Sequence, residues 1–411
     1  MRVNSQKTHF LSVRKAFQID GIEPCPSDDH AVLVWSDNIY DGDSTFKIQP
    51  WQVINRVPMI KVICRKVPME IVLDNIAKFY PNEYNFIPKT FLLPSKQKKF
   101  ISALTNTGKT YIVKPSLGSL GNGIKIYNSP EQYQPSRIRA VAQEYIESYL
   151  IDDTKFDLRV YALIASVNPL RIYVYHDGIA RFCTEKAGND SIFSQLTNVA
   201  INKKKVADGK DISEISRFIS DVFQILKDDG IDTDKLWVEI EDCIGLTIIS
   251  SLKFILKSEV GNDLTHSEIP RCFQILGFDI LLDKNAKPYV LEVNYRPLLN
   301  YYRGKEKRLK SKMIADAILL SAPFSSLQEL IDSRMWGWDE QKWKQAIHEN
   351  NIIKNRIRIE RKEYEKNTLY HKVWPSKKKH RKIWSQIINK VMEEKLPRLP
   401  GITNKYKTLI E

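Results

Sequence analysis

The chain is short of cysteine, and the few it has are poorly placed to cooperate. Its 411 residues hold five (Cys25, Cys64, Cys183, Cys243 and Cys272), odd in number, widely spaced and without a Cys-x-x-Cys pair. That usage argues for free thiols in a reducing compartment and against a zinc site. No apolar run approaches the length that crosses a bilayer, so no membrane partner is expected. The opening Met1-Arg2-Val3-Asn4-Ser5-Gln6-Lys7 lacks the apolar stretch of a secretory leader, and a cytosolic protein is expected. Internal repeats, low-complexity segments and recognised nucleic-acid motifs are also missing, which disfavours nucleic acid as the partner.

What is present describes a folded enzyme-sized body. Apolar residues make up 43% and aromatics 10% of the chain, enough for a sizeable core in two or three domains. Leu276-Gly277-Phe278-Asp279-Ile280-Leu281-Leu282-Asp283 and Leu291-Glu292-Val293-Asn294 are short apolar runs interrupted by polar residues. Residues two apart on a strand share a face, so Glu292 and Asn294 project together. The intervening Asp283-Lys284-Asn285-Ala286-Lys287-Pro288 is turn sequence, and a hairpin would bring Asp279 beside them. Two carboxylates and an amide oxygen on an apolar sheet are costly to bury without a positive charge between them. Hard oxygen donors of this kind suit Mg2+ together with phosphate oxygens. The plainer alternative is an edge hairpin with solvated carboxylates.

Further motifs point the same way. Tyr111-Ile112-Val113-Lys114-Pro115 reads as a strand ending in lysine, followed by Ser116-Leu117-Gly118-Ser119-Leu120-Gly121-Asn122-Gly123-Ile124. Glycines let backbone N–H groups approach phosphate closely, with the lysine as a point charge. The loop matches neither the P-loop spacing nor the dinucleotide fingerprint. In Lys155-Phe156-Asp157-Leu158-Arg159-Val160-Tyr161-Ala162-Leu163-Ile164, period two puts Phe156, Leu158, Val160, Ala162 and Ile164 on one face. Lys155, Asp157, Arg159 and Tyr161 take the other. Arg181 follows after His176-Asp177-Gly178, read here as a hairpin signal. Two arginines on adjacent strands could clamp a carboxylate or an anionic transition state.

Taken in order, these segments resemble the tubulin tyrosine ligase-like family. The resemblance is carried by Lys114-Pro115, the glycine loop, Gln143-Glu144-Tyr145-Ile146, Lys155 to Arg159, Pro169 to Tyr173, Arg181 to Thr184, Leu196-Thr197-Asn198, Leu276 to Asp279 and Leu291 to Asn294. Gln52 to Pro58, Cys64-Arg65-Lys66 and Pro81 to Thr90 look like the opening segments of its polyglutamylase branch. The likeness covers residues 45 to 325, and more weakly 350 to 376. It implies an ATP-grasp fold, an α/β (α+β) architecture with N-terminal, central and C-terminal lobes holding ATP. It implies an ATP-dependent ligase that activates a carboxylate as an acyl phosphate and couples it to an amino acid, most simply free glutamate onto tubulin C-terminal tails. A glycylase or other amino-acid ligase of the family, and a microtubule-binding pseudoenzyme, are the alternatives.

By the same resemblance, Lys114, Ser119, Gly121, Gly123, Gln143, Glu144, Tyr145, Ile146, Lys155 and Asp157 hold ATP. Arg159 and Arg181 act on the acceptor carboxylate or acyl phosphate, Thr197 and Asn198 face the substrate, and Asp279, Glu292 and Asn294 hold Mg2+. Asn122, Gln195 and Arg296 depart from the usual pattern. The expected divisions are residues 1–92, 93–186 and 187–325, then a basic helical extension over 326–411. The net charge is +14, and residues 326–411 carry 20 Lys and Arg against 11 Asp and Glu. Such a patch attracts polyanions, and the resemblance makes acidic tubulin tails on microtubules its partner. Trp336, Trp338, Trp343, Ile347 and Ile352 to Ile353 suggest an amphipathic helix docked on the body. A monomer on the cytoskeleton, in microtubule arrays such as cilia or basal bodies, is expected.

Overall fold

The computed structural model describes residues 2–18, 22–25, 31–37, 52–117, 121–188, 192–195, 197, 215–258, 270–301, 304–321, 342 and 351–402. Three sheets organise it. Near the N-terminus, β1 (Arg2–Lys7), β2 (Glu23–Pro24), β3 (Leu33–Ser36) and β4 (Val53–Ile54) form a parallel sheet in the order β2-β1-β3-β4. A second, antiparallel sheet has the order β5-β8-β6-β7. It is built from β5 (Thr90–Leu93), β6 (Tyr111–Pro115), β7 (Lys125–Tyr127) and β8 (Ala140–Glu144). Phe91, Phe100, Tyr111, Tyr127 and Tyr133 pack edge-on or tilted beneath it and make its own core.

The third sheet has seven strands: β9 (Leu150–Ile151), β10 (Thr154–Val167), β11 (Leu170–Phe182), β12 (Ser216–Phe218), β13 (Gln274–Leu282), β14 (Pro288–Asn294) and β15 (Tyr370–Trp374). Its main path is β12-β11-β10-β13-β14, with β15 also on β11 and β9 on β10. Both faces are covered. Phe156, Leu158, Val160, Ala162 and Ile164 of β10 enter one core, as their period-two spacing requires. That core also receives the Lys66–Ala77, Ile219–Asp228 and Thr233–Ser250 helices. On the opposite face, Tyr161, Leu163 and Ala165 meet the N-terminal sheet and the Gly304–Ser321 helix.

Local chemistry sets the ends of these elements. Asp232 caps the Thr233–Ser250 helix by accepting from the Lys235 N–H at 3.0 Å. The Ile219–Asp228 helix stops where Gly230 takes φ +87°, with Ile231 N–H donating to the Leu226 carbonyl and Gly230 N–H to that of Lys227. This is the paired bonding by which a glycine satisfies the last carbonyls of a helix.

Several sequence expectations need correction here. The expected 93–186 division does not hold together as one sheet, since β10 and β11 belong to the seven-stranded sheet and not with β6 and β8. His176-Asp177-Gly178 is no hairpin turn, because β11 runs unbroken from 170 to 182 and the reversal lies at 168–169. Instead the β10–β11 register shifts there, and a Cβ on Gly178 would stand 2.3 Å from the Arg159 carbonyl oxygen. The glycine permits a close approach of two backbones. The C-terminal segment is also more than a basic appendage. β15 pairs antiparallel with β11, and Val373, Trp384, Ile387 and Val391 lie in the main core. The tryptophans at 336, 338 and 343 and the Ile347 position lie outside the described residues; Ile352 is exposed.

Candidate active site

Register delivers the charged side chains to one place. Asp279 on β13 sits opposite Glu292 on β14 and opposite Arg159 on β10, while Asp157 on β10 sits opposite Arg181 on β11. Arg159 grips Asp279 through two bonds, Nε to Oδ1 at 2.6 Å and a terminal nitrogen to Oδ2 at 3.1 Å. Arg181 bridges two carboxylates, donating to Asp157 at 2.7 and 2.5 Å and reaching Asp279 at 2.9 Å. Thr197 donates its hydroxyl to Asp157 at 2.6 Å. Buried ions persist only when paired in this way. Burial pushes the Asp279 carboxyl up, but the charges and hydrogen bonds of Arg159 and Arg181 outweigh it and hold it below the usual carboxylate range. Gly277 makes room for this lattice, since a Cβ there would lie 3.1 Å from Arg159 Cδ and 2.9 Å from Pro297.

The facing wall comes from the small sheet. Lys114 at the end of β6 donates to Gln143 Oε1 on β8 at 2.9 Å, and Gln143 in turn donates to Thr90 at 3.2 Å. Burial lowers the Lys114 ammonium to about 8, against an opposing pull from Glu292. Lys155 donates to the Tyr145 hydroxyl at 2.8 Å and lies 4.2 Å from that ring's centroid. Glu144 is taken by Lys109 at 2.6 Å. Between the walls lies a cleft of ≈ 380 Å³, within the range of small-ligand sites. Ile112, Ile146, Leu281 and Leu291 give it an apolar end.

Most sequence-derived candidates therefore meet. Lys114, Gly121, Gln143, Glu144, Tyr145, Ile146, Lys155, Asp157, Arg159, Arg181, Thr197, Asp279, Glu292 and Asn294 all line the cleft. Gly123, with φ +74°, is not among its lining residues and packs toward Pro115. Ser119 and Asn198 lie outside the described residues. Asn122, Gln195 and Arg296, the three departures, also line it.

Two lysines escaped the sequence reading as site residues. Lys66 approaches Glu292 at 3.8 Å from the start of its helix. Lys310, on the Gly304–Ser321 helix, is 3% exposed; burial lowers its pKa and it donates to the Asn300 carbonyl at 2.5 Å. Its one local signal is Glu306 four residues earlier, at 3.9 Å. The cleft collects seven Lys and Arg against five Asp and Glu, a balance suited to a polyanion.

For a divalent cation, the donor chemistry fits. Glu292 lines the cleft directly across from Asp279, and Lys66 stands 3.8 Å from it, beyond hydrogen-bond length. The Asn294 amide nitrogen points to the Gly277 carbonyl at 3.4 Å, which leaves its oxygen as the remaining donor. Three hard oxygens on one hairpin are the ligand type magnesium takes.

The fold and site thus describe an α/β protein with a cationic ligand cleft between two sheets. Residues 45–330 match the tubulin-tyrosine ligase family, and the chain belongs to that family. It is 34% identical over 327 residues to mouse (Mus musculus) tubulin polyglutamylase TTLL6, covering 77% of this chain and 40% of that protein. Human (Homo sapiens) tubulin polyglutamylase TTLL13 is 36% identical over 334 residues, covering 78% and 40%. A probable beta-tubulin polyglutamylase of Tetrahymena thermophila is 34% identical over 318 residues, covering 74% and 27%. The chain thus spans about two fifths or less of the length of these relatives.

Proposed function

We propose that this chain is an ATP-dependent ligase, built on an ATP-grasp fold, that adds glutamate to glutamate side chains in tubulin C-terminal tails. The observation that carries this reading is one cleft. It sets a buried lysine on the small sheet against a carboxylate pair and two arginines on the large one. The names borne by similar proteins support tubulin as the acceptor. In this reading Ile112, Ile146, Leu281 and Leu291 enclose the adenine, and Lys114 and Lys155 face the phosphates. Asp279, Glu292 and Asn294 would hold Mg2+, which when bound neutralises phosphate charge.

The reaction has two steps. An acceptor carboxylate oxygen bonds to the γ-phosphorus as the bond to the β–γ bridging oxygen breaks, releasing ADP. The amine of free glutamate then bonds to the acyl carbon, loses a proton, and inorganic phosphate leaves. Arg159 and Arg181 place positive charge beside the reacting carboxylate and the anion that develops from it. Asp157 and Thr197 orient Arg181, and no protein nucleophile is required. Mass spectrometry of tubulin tails after incubation with the chain, ATP, magnesium and mixed amino acids is expected to show increments of glutamate. Glycine increments alone would reject glutamylation, and unchanged tails would favour a binding protein without turnover.

Lys114 supplies a test that needs no acceptor. Burial lowers its ammonium to about 8, and an adjacent polyphosphate raises it, since an opposite charge favours the protonated form. Between the lowered and raised values, binding must take up protons. At pH 8 the uptake approaches about half a proton per nucleotide. The heat of ATP-analogue binding is expected to vary with buffer ionisation enthalpy at pH 8, and less at pH 7. In Lys114→Met that dependence disappears; its persistence would remove Lys114 from the phosphate site.

A further inference from the structure

We propose that Glu306 and Lys310 bind the zwitterionic end of the incoming amino acid, Lys310 holding its α-carboxylate and Glu306 its ammonium, an inference that rests on the ligase reading. Both lie on the Gly304–Ser321 helix at positions i and i+4, so they stand one above the other on the face turned to the cleft, which both line. They are 8% and 3% exposed, and their charged atoms stand 3.9 Å apart, too far for a hydrogen bond. Lys310 Nζ donates to the Asn300 carbonyl at 2.5 Å, which anchors the ammonium without using all of its N–H groups.

The two charges together select the ligand. A phosphate or a lone carboxylate drawn to Lys310 is repelled by Glu306 beside it. An α-amino acid carries its ammonium next to its carboxylate, so it sets negative charge against Lys310 and positive charge against Glu306 at once. Buried ions are tolerated when each meets an opposite charge, and this ligand supplies both. Burial disfavours the charged form of Lys310, and an arriving carboxylate restores it.

Position agrees with that role. Arg159 is the neighbouring cation that acts on Lys310, and the Tyr161 hydroxyl feels Arg159, Glu306 and Arg181. Lys114 is acted on by a different set: Glu292, Lys66, Lys155 and Asp279. The two buried lysines therefore serve different parts of the cleft. Lys114 faces the phosphates, and Lys310 faces a ligand beside the arginines that hold the acceptor carboxylate.

Three ligands titrated calorimetrically into the full chain, loaded with a non-hydrolysable ATP analogue and magnesium, read the pair. L-glutamate is expected to bind more tightly than 4-aminobutyrate, which lacks the α-carboxylate, and than glutarate, which lacks the amine. Each gap is expected to be about 10–100-fold, the range of a hydrogen bond to a charged group. Lys310→Met is expected to bind L-glutamate and 4-aminobutyrate alike, and Glu306→Gln to bind L-glutamate and glutarate alike, with affinity for the ATP analogue unchanged in both. In ligation, Lys310→Met should raise the KM for glutamate about 10–100-fold and leave the KM for ATP where it was. Where circular dichroism shows that a variant has not folded, the ligand series on the unmodified chain decides. No binding of L-glutamate, binding of either analogue as tight as L-glutamate, or a folded Lys310→Met chain that keeps the preference would overturn the proposal. The ligase reading fails separately: a chain that binds L-glutamate through this pair yet incorporates none loses the ligase and keeps the pair.

Discussion

Glu292→Gln is expected to abolish ligation while leaving the fold intact. The carboxylate lies across the β13–β14 hairpin from Asp279 and, among the described residues, is approached at 3.8 Å by Lys66. Its side chain is 35% exposed. Removing a long, partly exposed ion pair costs at most about 1 kcal/mol. Function is another matter, because an anionic oxygen at this position is what the proposed magnesium site needs. In the proposed site, exchanging an anionic oxygen for a neutral amide oxygen weakens the hold on Mg2+, and phosphate charge is then less well compensated as the γ-phosphoryl departs. A single electrostatic group stabilising a transition state is worth about 10²–10³ in rate, and a metal ligand is expected to be at least as costly. The measurement is glutamate incorporation into tubulin at saturating ATP, with thermal unfolding as the control. Unchanged turnover in a folded variant would remove the metal hairpin from the mechanism. A parent chain that shows no turnover to lose would instead support a binding protein.

The largest effect on stability is expected at Arg381. Its side chain is fully buried, donates to Glu241 at 2.5 Å, Asp242 at 2.7 Å and the Val373 carbonyl at 3.2 Å, and lies near the buried Trp384. Arg381→Met keeps much of the volume but strips Glu241, 2% exposed, of its shortest charged partner. Breaking a buried pair from one side costs about 3–5 kcal/mol, because the surviving charge stays desolvated. Urea unfolding should show that loss. The double variant Arg381→Met with Glu241→Gln should recover part of it, since the abandoned charge is then gone. A single-variant loss below about 1 kcal/mol would mean that Lys378 or water compensates Glu241.

These two residues show how unevenly the sequence reveals its own structure. Glu292 was legible because its chemistry is local. A hairpin of alternating residues, a turn and a partner thirteen positions away are all within reach of strand periodicity. The same holds for Phe156 to Ile164, where period two separated the side chains that enter one core from Lys155, Asp157, Arg159 and Tyr161, which line the cleft. Arg381 was legible only as one member of a basic run, Lys377-Lys378-Lys379-His380-Arg381-Lys382. Nothing nearby says that it turns inward to acids on a helix some 140 positions earlier. Lys66 was missed for the same reason, since it meets Glu292 on a strand more than two hundred positions later. His176-Asp177-Gly178 misled because a glycine that admits a neighbouring backbone and one that makes a turn look alike in sequence.

The amino-acid order alone was sufficient for the family, the hairpin with its oxygen donors and most of the cleft's lining, because each depends on spacing within a strand or between adjoining ones. Folding in three dimensions determined which charges neutralise which: Arg159 and Arg181 lock onto Asp279 and Asp157, and β15 joins the large sheet. Those outcomes turn on desolvation, which depends on every chain segment that closes over a group and so leaves no mark at the group's own position.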